Sequence, residues 1–345
     1  MTSFALFRLP FEKQYTLIAQ TSGEPLEVSS LAELSGREGY VLAPFAQSED
    51  CPILLIRPDV VSHELPSGMG DGWYDSILRT GQMSVPLVPE LRADYHVDFA
   101  NFHAHLSNGD FSKLVLSRSQ FIASGVRQSP LDLFRKACEC YPRMMIALVS
   151  TPKSGTWLAA TPEMLLSGSG EEWQTVALAG TMPYEQDVRW SDKNIQEQRY
   201  VATYITEQLE RFTSDFKETG PRTIRAGHLA HLRSDFHFRL EGSRVGELLQ
   251  AFHPTPAVCG LPKHDAFQFI LHNEHSPRRY YSGFMGALSV ENKTSLFVTL
   301  RCMEMFMDGC CLYAGGGILK DSTEELEWQE TEIKMDTMRN IIYNV

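Results

Sequence analysis

Between residues 280 and 318, three strand-like runs, YYSGFMGALSV, TSLFVTLRCMEMFM and GCCLYAGGGI, follow one another with almost nothing between them. The gaps, Glu291–Lys293 and Asp308, suit hairpins and leave no room for a crossover helix, so these strands must pair antiparallel. The same texture recurs upstream. GYVLAPF and CPILLIRP sit among Pro and Gly in residues 1–95, and FSKLVLSRSQFIA alternates apolar and β-branched residues. MMIALVS and GTWLAATPEMLLSGSG read as a buried hairpin, with EWQTVALAG as a further strand. Helices interrupt these runs without regular βαβ alternation: one around 96–110, SPLDLFRKACECYP with its Ser–Pro opening, and a closing one over about 323–343. After 192–213 a connecting region leads to SRVGELLQAFHP and HDAFQFILHNEH. The pattern predicts an α+β protein of mostly antiparallel sheets flanked by helices. With no linker or low-complexity tract, it predicts one large domain over 1–345, its core over 96–345.

Charge narrows the partners. Asp and Glu outnumber Lys and Arg 43 to 31, for a formal net charge of −12, and no basic stripe marks a nucleic-acid surface. No run approaches the ~18 apolar residues of a spanning helix, and MTSFALFRLPFEKQY lacks the pattern of a cleaved signal. Seven cysteines show no metal-ligand spacing, which suits free thiols in a reducing cytoplasm.

Two helices carry glutamate on a face expected to be apolar. In DKNIQEQRYVATYITEQLERFT (192–213), the stripe Val201, Ile205, Leu209, Phe212 extends back by four residues onto Glu197. In the closing helix Leu326, Ile333 and Met338 form the expected stripe, with Glu330 between the first two and Glu327 and Lys334 at neighbouring azimuths. Such glutamates either edge the stripe and reach water, or are buried with a partner, for which a hard cation such as Mg²⁺ is suited. Ser322 and Glu325 have capping-box spacing, and Glu324 and Glu332 are expected to face solvent. The triple glycine of YAGGGI lacks the Lys-Ser/Thr of a phosphate loop. It serves either a tight turn or the close approach of backbone N–H groups to an anion, with Arg301 and Lys334 as candidate counter-charges.

Seven blocks in order, KLVLSR (113–118), ATPEMLL (160–166), ALAGT (177–181), HPTPAVCGLP (253–262), TLRC (299–302), YAGGGI (313–318) and EWQETEIK (327–334), resemble the chorismate-utilising enzymes. They are most similar to isochorismate synthases. The resemblance covers roughly residues 100–343, and the first ~95 match loosely. It implies a Mg²⁺-dependent site with Glu197 and Glu330 as metal ligands and Glu327 acting near the metal, through water. It further implies Lys113 as general base and Glu163 as general acid. Gly180, Thr181, His253, Arg301, Tyr313, Gly315, Gly316, Gly317 and Lys334 would contact chorismate, with Gly180, Thr181 and His253 lining one pocket. The implied reaction adds water at C2 of chorismate as the C4 hydroxyl leaves, opening menaquinone or siderophore biosynthesis. Relatives that use an amine carry a lysine where this chain has Ala179, and anthranilate synthases carry histidine where it has Gln198. Water is therefore the expected nucleophile, with no glutamine amidotransferase subunit. Salicylate synthase, which goes on to eliminate pyruvate, and an inert dicarboxylate binder stand as alternatives.

Overall fold

The structure, a computed structural model, describes residues 3–64, 92–123, 129–184, 188–226 and 229–343, with the side chains of 181, 183 and 226 excepted. Among the described residues the strand runs form two nine-stranded antiparallel sheets. In order across the first lie Gly260–Leu261, Lys113–Ala123, Gly309–Ile318, Cys302–Met305, Gly155–Thr161, Met145–Thr151, Ser3–Arg8, Thr16–Gln20 and Val60–Ser62. Across the second lie Phe216–Ala226, Leu229–Arg239, Glu172–Pro183, Met164–Ser169, Lys293–Val298, Phe284–Val290, Gly39–Ala43, Ile53–Ile56 and Leu26–Val28. Strands from residues 3–62 enter both sheets, so this N-terminal part shares the sheets with the rest of the chain.

Two expected strands break where the chain passes from one sheet to the other. GTWLAATPEMLLSGSG divides at Pro162–Glu163, and TSLFVTLRCMEMFM divides at Thr299–Arg301. Arg301 takes a φ of +45°, a left-handed conformation that side-chain-bearing residues rarely adopt. The two crossings lie side by side: Val298 N–H donates to Glu163 O at 2.9 Å, Ala160 N–H to Arg301 O at 3.0 Å, and Thr161 Oγ1 to Val298 O at 2.6 Å. They hold Glu163 and Arg301 at one corner.

Six α-helices lie among the described residues: α1 (Arg92–Asn108), α2 (Pro130–Cys140), α3 (Asp192–Glu210), α4 (Val245–Phe252), α5 (Lys263–Asn273) and α6 (Glu324–Tyr343). Tyr40, Trp157, Met285, Phe297 and Tyr313 fill the space between the sheets. Helices α3 and α4 cover the outer face of the second sheet through Val201, Ile205, Leu249 and Phe252, while α2 and α6 cover the first through Phe134, Met335 and Met338. Helices α1 and α5 pack at the end of the first sheet on Leu114 and Leu116. None of these helices is long and apolar enough to cross a membrane. The result is a helix–sheet–sheet–helix stack.

Burial of Val201, Ile205 and Leu209, each worth about 1.5–3 kcal/mol, outweighs the reluctance of one carboxylate and turns Glu197 toward the sheet. Ser191 caps the helix by accepting from Asn194 N–H.

Helix α6 departs from expectation. Leu326 and Ile333 are 64% and 40% exposed, and the buried face instead runs through Glu327, Thr331, Met335, Met338 and Ile341. The grooves left by Met144, Leu312 and Ala314 on the sheet accept the methionines and Ile341, and that contact sets the azimuth. No capping box forms, because Glu325 pairs with Arg92 at 2.8 Å and Ser322 Oγ accepts from Leu319 N–H. Glu324 and Glu332 are not simply solvated: Glu324 meets Arg92 and His96, and Glu332 meets Arg118 and Arg339.

The connecting region after α3 is in fact the hairpin Phe216–Ala226/Leu229–Arg239. Its outer strand, FKETGPRTIRA, is polar and carries Gly220–Pro221 at a register shift, a composition tolerated only at a sheet edge. The reassigned α6 face makes a contrast within one helix. Met335→Ala should destabilise the fold by about 2–5 kcal/mol in denaturant titration, whereas Leu326→Ala should stay within about 0.5 kcal/mol. Equal losses would place the buried face elsewhere.

Candidate active site

Beside the corner where the sheets exchange strands lies a cavity of about 60 Å³. Glu163, Gly180, Glu197, Arg301, Gly315, Gly317 and Lys334 line it, drawn from both sheets, α3 and α6. Lys113, fully buried at the start of its strand, sits against the same wall, 3.0 Å from Glu197 Oε1. Its Nζ makes no well-aligned hydrogen bond.

The glycines explain how so many acids fit against one strand. Their main chain pairs with Val115–Ser117 on one side, while the pairing with Cys302–Met305 on the other side stops at Tyr313. A side-chain carbon on Gly317 would overlap Glu197 Oε1 and lie 3.0 Å from Lys113 Cε. One on Gly316 would lie 3.0 Å from Glu327 Oε2, and one on Gly315 2.9 Å from the Tyr281 hydroxyl. The strand thus takes acids on both faces: alternation points 315 and 317 one way and 316 the other.

Each acid is matched to a lysine. Lys113 faces Glu197, Lys334 is 2.6 Å from Glu330, and Lys193 is 2.5 Å from Glu327. Lys334 also donates to Gly315 O at 2.8 Å. Burial opposes charge on Glu197, but Lys113, Lys193 and Lys334 together outweigh it and hold the carboxyl below its ordinary range. Glu327 goes the other way, raised by burial and by Glu330 beside it, against the pull of Lys193. Burial pushes Glu163 up to about 8, despite Lys113, Arg301 and Lys334, so it carries its proton at neutral pH.

A hard divalent cation fits this donor set. The three carboxylates are oxygen donors of the right kind, Glu327 Oε2 is buried without a well-formed hydrogen bond, and the glycines leave a notch that any side chain would fill. Among the described residues no three acidic, histidine or cysteine side chains already stand grouped as a metal cluster, consistent with each carboxylate leaning on its lysine.

Not every expected residue comes to the cavity. His253 does not line it: it borders a separate cavity, its Nε2 2.9 Å from Pro44 O and its ring edge-on to Phe284. The cause is the close of α4, which turns the following residues toward Pro44. Tyr313 is buried between the sheets, stacked on Trp157 and Tyr281. Thr181 is described by its backbone alone, on the strand Glu172–Pro183. Gln198 is turned away and donates to Ala177 O at 3.1 Å.

Three residues enter that sequence reasoning missed: His231, Tyr281 and Lys193. His231 lines the cavity between Gly180 O, 3.1 Å from Nδ1, and Arg301, 3.4 Å from Nε2. Burial, with Arg301 and Lys334 adding, lowers it to about 3, so it is neutral. Its strand reads from sequence as part of a connecting region, although the alternation LAHLRSDFHF is the available signal.

Residues 90–343 match the family model for chorismate binding enzymes. Among curated relatives, isochorismate synthase DhbC of Bacillus subtilis is 31% identical over 271 residues, covering 73% of this chain and 68% of that protein. The vibriobactin-specific isochorismate synthase of Vibrio cholerae is 29% identical, over 68% of this chain and 64% of its own length. The matched stretch therefore spans about two thirds of these relatives. The crystal structure of DhbC from Bacillus anthracis superposes with a TM-score of 0.81 at 24% identity, over 99% of this chain and 96% of that one. By the extent of the family match, and by a fold shared from end to end, this chain belongs to the chorismate-binding enzymes.

Proposed function

We propose that the protein is a Mg²⁺-dependent isochorismate synthase. The observation that carries the reading is the pairing of a buried lysine with a buried, protonated glutamate at one cavity whose wall at position 179 is alanine. The relatives bearing the name isochorismate synthase support the same assignment.

The chemistry needs both groups. Water is a weak nucleophile and hydroxide a poor leaving group, so the substitution requires a base for the first and an acid for the second. In this reading Lys113 removes a proton from the water that adds at C2. The ring double bond shifts, and Glu163 gives its proton to the departing C4 hydroxyl, which leaves as water. The reaction is balanced as an isomerisation, and afterwards Lys113 holds one proton more and Glu163 one fewer, so the pair must exchange with solvent before the next turnover. Arg301 and Lys334 supply positive charge for the substrate's carboxylates. Neutral His231 offers a hydrogen bond without adding charge. Glu197 and Glu330 would hold Mg²⁺, with Glu327 adjacent, and the ion when bound would neutralise the ring carboxylate. Ala179 leaves no side-chain amine to form a covalent adduct.

Identifying the product after incubation with chorismate and Mg²⁺ tests the reading. Isochorismate is expected, release of pyruvate would make the protein a salicylate former, and unchanged chorismate would overturn the enzyme assignment. Lys113→Ala and Glu163→Gln should each lower kcat by about 10²–10⁴-fold with the circular dichroism spectrum preserved. Near-normal turnover in either would reject its role. Because Glu163 acts as an acid and is held up to about 8, the protonated fraction falls as pH rises through that value. The pH profile of kcat/KM should therefore decline on its alkaline side from about 8. In chelated protein titrated with Mg²⁺ by calorimetry, Glu330→Gln should weaken binding by roughly 100-fold or more, beyond the range for losing an outer partner. An unchanged affinity would remove Glu330 from the ligand set.

A further inference from the structure

Lys193 has no part in the reaction as proposed, yet it touches the metal-side acids. Its ammonium lies 2.5 Å from Glu327 Oε1, and Glu330 and Glu197 also bear on it electrostatically. Glu327 is 1% exposed, so water does not stabilise its charge, and its Oε2 makes no well-formed hydrogen bond. A side-chain carbon on Gly316 would lie 3.0 Å from Glu327 Oε2 and 3.8 Å from Glu330 Oε1, so the two carboxylates border one notch.

The pairing repeats the connection a metal would make. Lys193 and Glu197 stand one helical turn apart on α3, and Glu327 and Glu330 one turn apart on α6. An ion held by Glu197 and Glu330 would join these helices. The Lys193–Glu327 contact joins the same two helices one turn nearer both N-termini. The three lysines of the site differ in freedom. Lys113 is fully buried, and Lys334 is 14% exposed and also donates to Gly315 O, whereas Lys193 is 29% exposed. Its flexible stem can therefore carry the ammonium out to water when another cation arrives.

We infer that Lys193 is a resident counter-ion of the metal site: it offsets Glu327 and clamps α3 to α6 while no metal is bound, and it competes with Mg²⁺ for that carboxylate. The inference rests on the proposed function for the identity of the ion. A lysine in this position lets the acids stay buried without metal and lowers the affinity for metal in return. It differs in sign from a neighbour that orients a ligand, whose loss weakens metal binding by roughly 10–100-fold.

The test titrates Mg²⁺ into chelated protein by calorimetry, without chorismate, and follows the melting temperature over the same concentrations. Lys193→Met, and Lys193→Gln as a second variant that keeps a polar side chain, should tighten Mg²⁺ binding roughly 10-fold, the size of an effect beside a ligand but opposite in sign. Their metal-free melting temperature should fall. Mg²⁺ should then raise it by more than in the unaltered chain, because tighter binding stabilises more at equal concentration. Arg92→Gln is the control: Arg92 pairs with Glu324 and Glu325 at the start of α6, so the change removes equal charge nearby without freeing Glu327. Its Mg²⁺ affinity should stay within about two-fold of the unaltered chain. Unchanged or weaker binding in the Lys193 variants, or an equal shift in Arg92→Gln, overturns the inference while the metal reading stands. If the unaltered chain and all variants bind no Mg²⁺, the metal reading falls and the inference with it.

Discussion

The site depends on two strands that change sheets next to each other. Where the chain leaves one sheet at Thr161 and the other at Val298, the free ends bond across the gap. Glu163 and Arg301 are the residues left at the turn, neither wholly in one sheet nor the other. A side chain in the middle of a strand would be confined to one face; at such a crossing it can be aimed at the seam between the sheets. The left-handed backbone of Arg301 and the burial of Glu163 are both costs, and both are met by surrounding cores.

Charge compensation is the second principle of the site. Three acids and three lysines are paired around the glycine strand, so a group of carboxylates is kept in the interior with no ready-made metal cluster among the described residues. A buried carboxylate without a partner would take up a proton; Glu197, with lysines beside it, is held below its ordinary range, whereas burial and Glu330 raise Glu327 despite Lys193. Glu197, with its lysines, and Glu163, where burial dominates, are pushed in opposite directions within one cavity. Divergent neighbours of this kind are how one fold keeps a protonated carboxyl and an ionised one side by side.

Much of this was legible in the sequence where local pattern and tertiary packing agree. The stripe of α3 placed Glu197 correctly, and the strand GCCLYAGGGI has the bounds its composition suggests. The pattern misled on α6, where Leu326 and Ile333 look like a core face but Met335, Met338 and Ile341 fit the sheet better. The edge hairpin was missed because half of it is polar, and with it went His231. Crossing points between sheets leave almost no local signal, since Pro162–Glu163 and Arg301 sit inside runs that look continuous. The roles proposed for Lys113 and Glu163 rest on family resemblance, because a lysine at a strand start is ordinarily solvated and nothing local marks it as buried.

The glycine strand gives the site one wall that cannot change and another that can. Any side chain at Gly316 or Gly317 would occupy space already held by carboxylate oxygens, so that wall admits no gradual alteration. Elsewhere in the lining, Ala179 already bears a methyl group, and no glycine restriction applies there. Change in the cavity lining within this architecture is therefore channelled to the strand Glu172–Pro183, away from the acids packed on the glycine strand.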